Sequence, residues 1–165
     1  MKKSFARIAA TALVVALCAF MLIGCGGYDV KLPIGDGSVE NDSVIASFHI
    51  DETITDGYVL KGEFSAESGA NLNRNFVLSI CNADPRFTES YKEHVLTRFS
   101  GSDVDGKKLG FTAEFPNLSD AFEKTDAAKN FYIVLRVDSA DFGFNECNAS
   151  DYSYTFDGKT LKISK

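Results

Sequence analysis

"DYSYTFDGKTLKI", Asp151 to Ile163, decides the fold class. Two strand-like runs flank Asp157-Gly158, and an Asp-Gly pair suits the positive φ angles of a two-residue hairpin turn. Upstream, apolar side chains recur at period two, the strand signature, rather than at the 3.6 of a helix. Phe131, Ile133, Leu135 and Val137 share one face of a segment, as do Leu109, Phe111, Ala113 and Phe115. Further back, Val95, Thr97 and Phe99 alternate, then Phe76, Leu78 and Ile80, then Tyr58, Leu60, Gly62 and Phe64, then Val44, Ala46, Phe48 and Ile50.

Two stretches read as short helical connections. In "ADPRFTESYKEH" Asp84 can cap backbone amides, Pro85 takes the first helical position, and Phe87 and Tyr91 fall on one face of a helix over 85–93. In "NLSDAFEKTDAAK" Leu118 and Phe122 have the same spacing. About eight short strands with turn signals between them, over residues 44–165, predict one all-β domain, a two-sheet sandwich of immunoglobulin-like arrangement. The antibody-type hallmarks are missing, because the chain has no Trp and no Tyr stands two residues before Cys81 or Cys147. A lipocalin-like barrel of eight meandering strands around a ligand cavity is the alternative.

At the other end of the chain, Lys2, Lys3 and Arg7 precede an apolar run from Ile8 to Ile23 with no acid in it. That is the charged and apolar pattern of a secretory signal, and the run is short of the roughly 20 residues of a settled membrane span. Leu22, Ile23, Gly24 and Cys25 resemble the lipobox of bacterial lipoproteins. The resemblance covers only this leader and implies that residues 1–24 are cleaved, that Cys25 is acylated (palmitate or a similar chain), and that the domain is lipid-anchored on a bacterial cell membrane, facing outside the cytoplasm. Removal of the leader takes three basic residues with it and moves the formal charge from −6 to −9, a balance that argues against nucleic acid as a partner.

Residues 25–43, rich in Gly and acid and interrupted by Pro33, read as a flexible tether that holds the domain clear of the lipid headgroups. With Cys18 in the leader and Cys25 given to lipid, Cys81 and Cys147 remain, a candidate disulfide in an exported chain; two separate free thiols are the alternative. Neither stands in a CxxC or near a His, so a zinc site is not expected.

The inventory for catalysis is thin, and neither cofactor nor metal is expected. His49 reads as a solvent-facing strand residue and His94 as the residue that meets the carbonyls ending the 85–93 helix. "GSDVDGKKLG" holds Asp103-x-Asp105-Gly106, a fragment of a calcium-loop pattern too small to bind, and a hairpin loop is the better reading. Between Arg136 and Lys159 there is no Lys or Arg, while Asp138, Asp141, Glu146 and Asp151 are interleaved with Phe142, Phe144, Tyr152 and Tyr154. This is a candidate recognition surface, with aromatic anchors and acids to select a partner; the plainer alternative is a solvated loop that tucks its Phe side chains into the core. The sequence therefore leaves three classes: a non-catalytic surface module that meets a protein or glycan, a small hydrophobic-ligand carrier, and, least supported, an enzyme.

Overall fold

The period-two segments pair as strands. A computed structural model of the chain describes residues 26–35, 43–117, 130–156 and 160–165. Its strands are β1 (Gly27–Ile34), β2 (Val44–Asp51), β3 (Thr53–Thr55), β4 (Val59–Ala66), β5 (Asn75–Cys81), β6 (Glu93–Ser100), β7 (Leu109–Glu114), β8 (Asn130–Val137), β9 (Cys147–Phe156) and β10 (Thr160–Ser164). One sheet has the order β1-β2-β4-β7 and the other β3-β10-β9-β8-β5-β6, every pairing antiparallel. Two apolar faces meet between them, as in a sandwich. The order is not a meander around one closed sheet, so the lipocalin-like alternative does not describe it.

Alternation dictates which residues meet. Val44, Ala46, Phe48 and Ile50 of β2 are buried against Phe131, Ile133 and Leu135 of β8, with Leu60 and Phe64 of β4 in the same core. Phenylalanines fill the middle: Phe64 stacks on Phe99 at 3.9 Å between centroids and on Phe111 at 4.6 Å, and Phe76 stacks on Phe99 at 5.2 Å. Gly62 is required by the close approach of β2, since a Cβ there would lie 2.5 Å from the Ser47 carbonyl oxygen.

Several expectations are corrected. The segment read as a tether is, over Gly27–Ile34, an edge strand paired with β2 from Gly27↔Asp51 to Ile34↔Val44. Val30, Leu32 and Ile34 are buried, and Pro33 is tolerated because an edge strand needs no N–H on its outer side. No helix forms over 85–93. There Asp84 accepts the Arg86 amide at 2.9 Å and its carbonyl accepts the Phe87 amide at 3.1 Å, closing a single turn. The helical content of the described residues is instead two short 3₁₀ turns, Gly101–Val104 and Phe144–Glu146. The 101–108 loop joins β6 to β7 across the two sheets rather than closing a hairpin, and Asp103 accepts the Ser100 amide at 3.1 Å. His94 lies on β6 opposite Ile80, not at a helix end.

Cys81 and Cys147 are free thiols, not a disulfide. Cys81 pairs with Tyr132 and Cys147 with Arg136 on opposite sides of β8, so a whole strand stands between them. Two strand spacings are about 9.5 Å, beyond the roughly 7 Å that a disulfide spans between Cα atoms. The second stretch expected to be helical, the Asp157-Gly158 turn and Cys25 lie outside the described residues.

Candidate functional site

The six-stranded sheet is buried on both faces at β5, β8 and the start of β9. Val77, Ser79 and Cys81 of β5, Val134 and Arg136 of β8 and Cys147 of β9 point away from the main core, yet all are buried. Two loops cover them, residues 82–92 between β5 and β6 and residues 138–146 between β8 and β9. Beneath the loops, Cys81, Val134 and Cys147 form a small second core with Tyr91, Tyr132, Phe142 and Ala149 packed on it.

A register shift brings charge into that layer. Ser79 pairs with Val95, while its neighbour Leu78 pairs with Thr97, so β6 carries an extra residue at the Leu78/Ser79 step. A bulge of this kind moves every later residue to the opposite face. Val95 consequently does not share the face of Thr97 and Phe99, and Glu93 lands on the outer face opposite Cys81. Its carboxylate takes two hydrogen bonds from the Arg136 guanidinium, 2.8 Å from Nε and 2.7 Å from Nη2, and a third from the Ser79 hydroxyl at 2.8 Å. Arg136 also donates to the Val137 carbonyl at 2.9 Å and lies 5.3 Å from the centroid of the Phe142 ring. Burial pushes the Glu93 carboxyl up, but the bonds from Arg136 and then Ser79 outweigh it and hold the group below the usual Glu range. The same bonds to Glu93 raise Arg136 against its burial. Among the described residues, no buried side-chain polar atom lacks a hydrogen bond.

On top of this fixed layer sits an exposed aromatic pair. Phe87 is 75% exposed and Phe144 59%. Their rings meet edge to face at 5.8 Å, and the Arg86 guanidinium lies 5.5 Å from the first centroid and 6.0 Å from the second. Arg86 is held by Asp84, with Nη2 2.6 Å from Oδ2 and Nε 3.0 Å from Oδ1. Hydrogen bonding to Asp84 raises Arg86, so it is charged at any ordinary pH. The Phe144 turn is fixed by Glu146, which accepts the Gly143 amide at 2.8 Å and pairs with Arg74. The Gly143 amide first, then Arg74, keeps the Glu146 carboxyl below its usual range. Two large apolar rings held in water by charged neighbours have the make-up of an interface anchor.

The loop singled out in the sequence is therefore divided among different jobs. Phe144 is displayed, and Asp141 and Asp151 are exposed beside it in sequence. Asp138 is tied to Arg98 at 3.3 Å and lies 3.9 Å from Arg136. Phe142 is a half-buried lid on the second core. Tyr152 is not a surface residue: it is 2% exposed in the main core, stacked on Phe131 at 5.4 Å and 5.8 Å from Tyr28, its oxygen accepting from the Ser150 hydroxyl at 3.1 Å. Tyr154 packs partly buried against the same core. Phe87 lies outside the surface expected from the sequence, because its i, i+4 spacing to Tyr91 reads as a helix. The Asp84-Pro85 pair was the available sign of a turn.

Elsewhere the chemistry is sparse. His49 Nδ1 lies 2.8 Å from Asp29 Oδ1 and its Nε2 lies 3.6 Å from Asp51, on the open face of the four-stranded sheet. Burial raises both Cys81 and Cys147 to about 12, which leaves them as unreactive thiols at neutral pH. No group of three or more His, Cys, Asp or Glu among the described residues could hold a metal ion. Among the described residues, recesses open at opposite ends of the sandwich, about 100 Å³ beside Ile34, Val44 and Phe76 and about 210 Å³ beside Ile54, Phe115 and Phe156. Both are below the roughly 300 Å³ at which small-molecule pockets begin. Compared with known proteins, the chain is similar to no family model, no curated protein and no solved structure.

Proposed function

We propose that the chain is a bacterial lipoprotein whose sandwich is a non-catalytic contact module, displayed outside the cytoplasm and meeting a protein partner through Phe87 and Phe144. The observation that carries this reading is the edge-to-face pair itself, two exposed rings with a paired guanidinium over both. Rings left in water on a rigid support gain by covering, and Phe87 and Phe144 rest on a hydrogen-bonded layer that does not have to order on contact. The acidic surround favours a partner with basic groups at its rim.

An immunoglobulin-like type is supported by strand order. With β2, β4 and β7 taken as A, B and E, and β5, β6, β8 and β9 as C, C′, F and G, these strands read A-B-E and G-F-C-C′, with β1 added beside A and β10 and β3 added beyond G. Against a ligand carrier stand the stacked core phenylalanines and the small recesses.

The test is crosslinking on intact cells with wild-type protein, with the Phe87→Ser/Phe144→Ser pair, and with Cys25→Ser. The double substitution should abolish a specific crosslinked product while the protein stays folded and at the surface. Cys25→Ser should lose a clickable palmitate label and leave an uncleaved precursor. An undiminished crosslink in the Phe pair would refute the contact surface; a label retained in Cys25→Ser would refute the anchor.

A further inference from the structure

We infer that the domain stands directly on the bilayer in a fixed orientation, the end bearing Glu52, Asp56 and Phe156 against the headgroups and the loops 67–74, 101–108 and 138–146 pointing away. This rests on acylation of Cys25 and adds to it a geometry that acylation alone does not require.

The basis is how little chain lies between lipid and fold. Gly27 pairs with Asp51 in the sheet, and the Gly26 carbonyl accepts the Glu52 amide at 2.8 Å. Consecutive Cα atoms are 3.8 Å apart, so Cys25 is within about 8 Å of a residue locked into a ladder. The sequence offered residues 25–43 as a coil to lift the domain off the surface; the eight residues Gly27–Ile34 are instead an edge strand.

Strand direction then assigns the ends. At the Gly27 end of the sandwich lie the β2–β3 turn at Glu52, the β3–β4 turn at Asp56-Gly57 and the end of β7. The Tyr58 hydroxyl accepts the Asp51 amide at 3.2 Å, the Tyr58 carbonyl accepts the Phe115 amide at 2.9 Å, and the Glu52 carbonyl accepts the Ile163 amide at 2.7 Å. At the Ile34 end the Gly101 amide donates to Arg74 at 2.7 Å and the Asp138 amide to Asn75 at 2.8 Å. An eight-residue strand such as β2 is about 26 Å long, so the far loops stand that distance above the near end. Phe144 is on one of them, and Phe87 touches it from the side of the sheet.

Two further features suit the near end to a headgroup layer. Phe156 is 51% exposed and Val59 41%, and both are at this end. Aromatic rings are favoured at the membrane–water boundary. The acids around them give no electrostatic attraction to an anionic surface, so the covalent attachment sets the contact.

The experiment uses the lipidated protein, purified from membranes in detergent and reconstituted into phosphatidylcholine vesicles with a headgroup spin-labelled lipid. Asp56→Cys and Lys107→Cys are labelled separately with a fluorescent maleimide; native Cys81 and Cys147 are buried and do not compete. The Asp56 probe should be quenched several-fold more than the Lys107 probe. A ten-residue Gly-Ser insertion between Cys25 and Gly26 adds about 17 Å of coil and should make the two probes equal. Equal quenching without the insertion overturns the orientation, and a difference that survives the insertion overturns its covalent cause. Flotation separates the premises: protein that does not float with the vesicles refutes acylation, and with it the inference, whereas floating protein with equal probes refutes the orientation alone.

Discussion

Replacing Glu93 by Gln removes one charge from a buried pair and leaves its partner in place. The Arg136 side chain is 8% exposed and the Glu93 side chain 18%. Breaking such a pair from one side costs about 3–5 kcal/mol, because the remaining charge stays buried without compensation. Asp138, 3.9 Å from Arg136, offers partial relief, so the lower figure applies: about 3 kcal/mol. With a urea slope near 2 kcal/mol/M this moves the midpoint down by about 1.5 M. At roughly 3–4 °C per kcal/mol for a domain of this size, it lowers Tm by about 10 °C. The pH dependence follows from the direction of the Glu93 shift. The folded carboxyl titrates below its ordinary 4.5, so its contribution is complete above that value and is lost as pH falls through the lower folded one. Glu93→Gln should therefore flatten the acid limb of the stability curve. The combination Glu93→Leu with Arg136→Met removes both charges; it leaves Ser79 without its acceptor, while the Val137 carbonyl keeps the Ser139 amide at 2.9 Å and Asp138 keeps Arg98, so it should recover all but about 1 kcal/mol. Urea melts of the chain beginning at Gly26, from pH 3 to 7, read all three. A loss under 1 kcal/mol in Glu93→Gln, or a double substitution as costly as the two single ones added, would refute the account. Glu63→Gln, whose partner Lys108 is exposed, is the control and should stay within about 0.5 kcal/mol.

Other outcomes follow from the packing. Native protein should show no thiol reactive to a maleimide at pH 7.5 and two after unfolding without reductant; a mass two units low with no reactive thiol after unfolding would show that strand β8 does not separate Cys81 from Cys147, and a reactive thiol in the native protein would show that one of them is not buried. Gly62→Ala should cost about 1–3 kcal/mol, since its Cβ would meet the Ser47 carbonyl, whereas alanine at the open Gly110 should change stability by less than 1 kcal/mol. Phe131→Ala, which removes the ring stacked on Tyr152 and set against Phe115, should cost about 3–5 kcal/mol in the same melts, and a smaller loss would show a core looser than the one described.

Much of the fold was legible because alternation is a local property. Phe131, Ile133 and Leu135 lie on one buried face whichever strands they pair with, and a period of two reports that from a single segment. Where the reading failed, a local signal was real but outweighed. Val30, Leu32 and Ile34 alternate as well as any strand in the chain, yet Pro33 and the glycines around them argue for coil until an edge position makes the proline harmless. Phe87 and Tyr91 have helical spacing, but Asp84 and Arg86 satisfy each other in a turn, and too few apolar positions follow to bury a helix. Tyr152 looked like a surface anchor because it lies among acids; its own alternation with Asp151 on β9 put it inward.

The sequence by itself determined the all-β class, the composition of the main core and the acidity, since each depends on residue type and short-range spacing. Only the tertiary structure decided that Gly27–Ile34 is a strand, that β8 divides the two cysteines, and that Glu93 meets Arg136. Each of these depends on which distant segments lie side by side. One extra residue at the Leu78/Ser79 step turns Glu93 from one face of the sheet to the other, and nothing local to Glu93 marks that shift. The partner that sets it, β5, is fixed by long-range pairing, and with it the layer on which Phe87 and Phe144 stand.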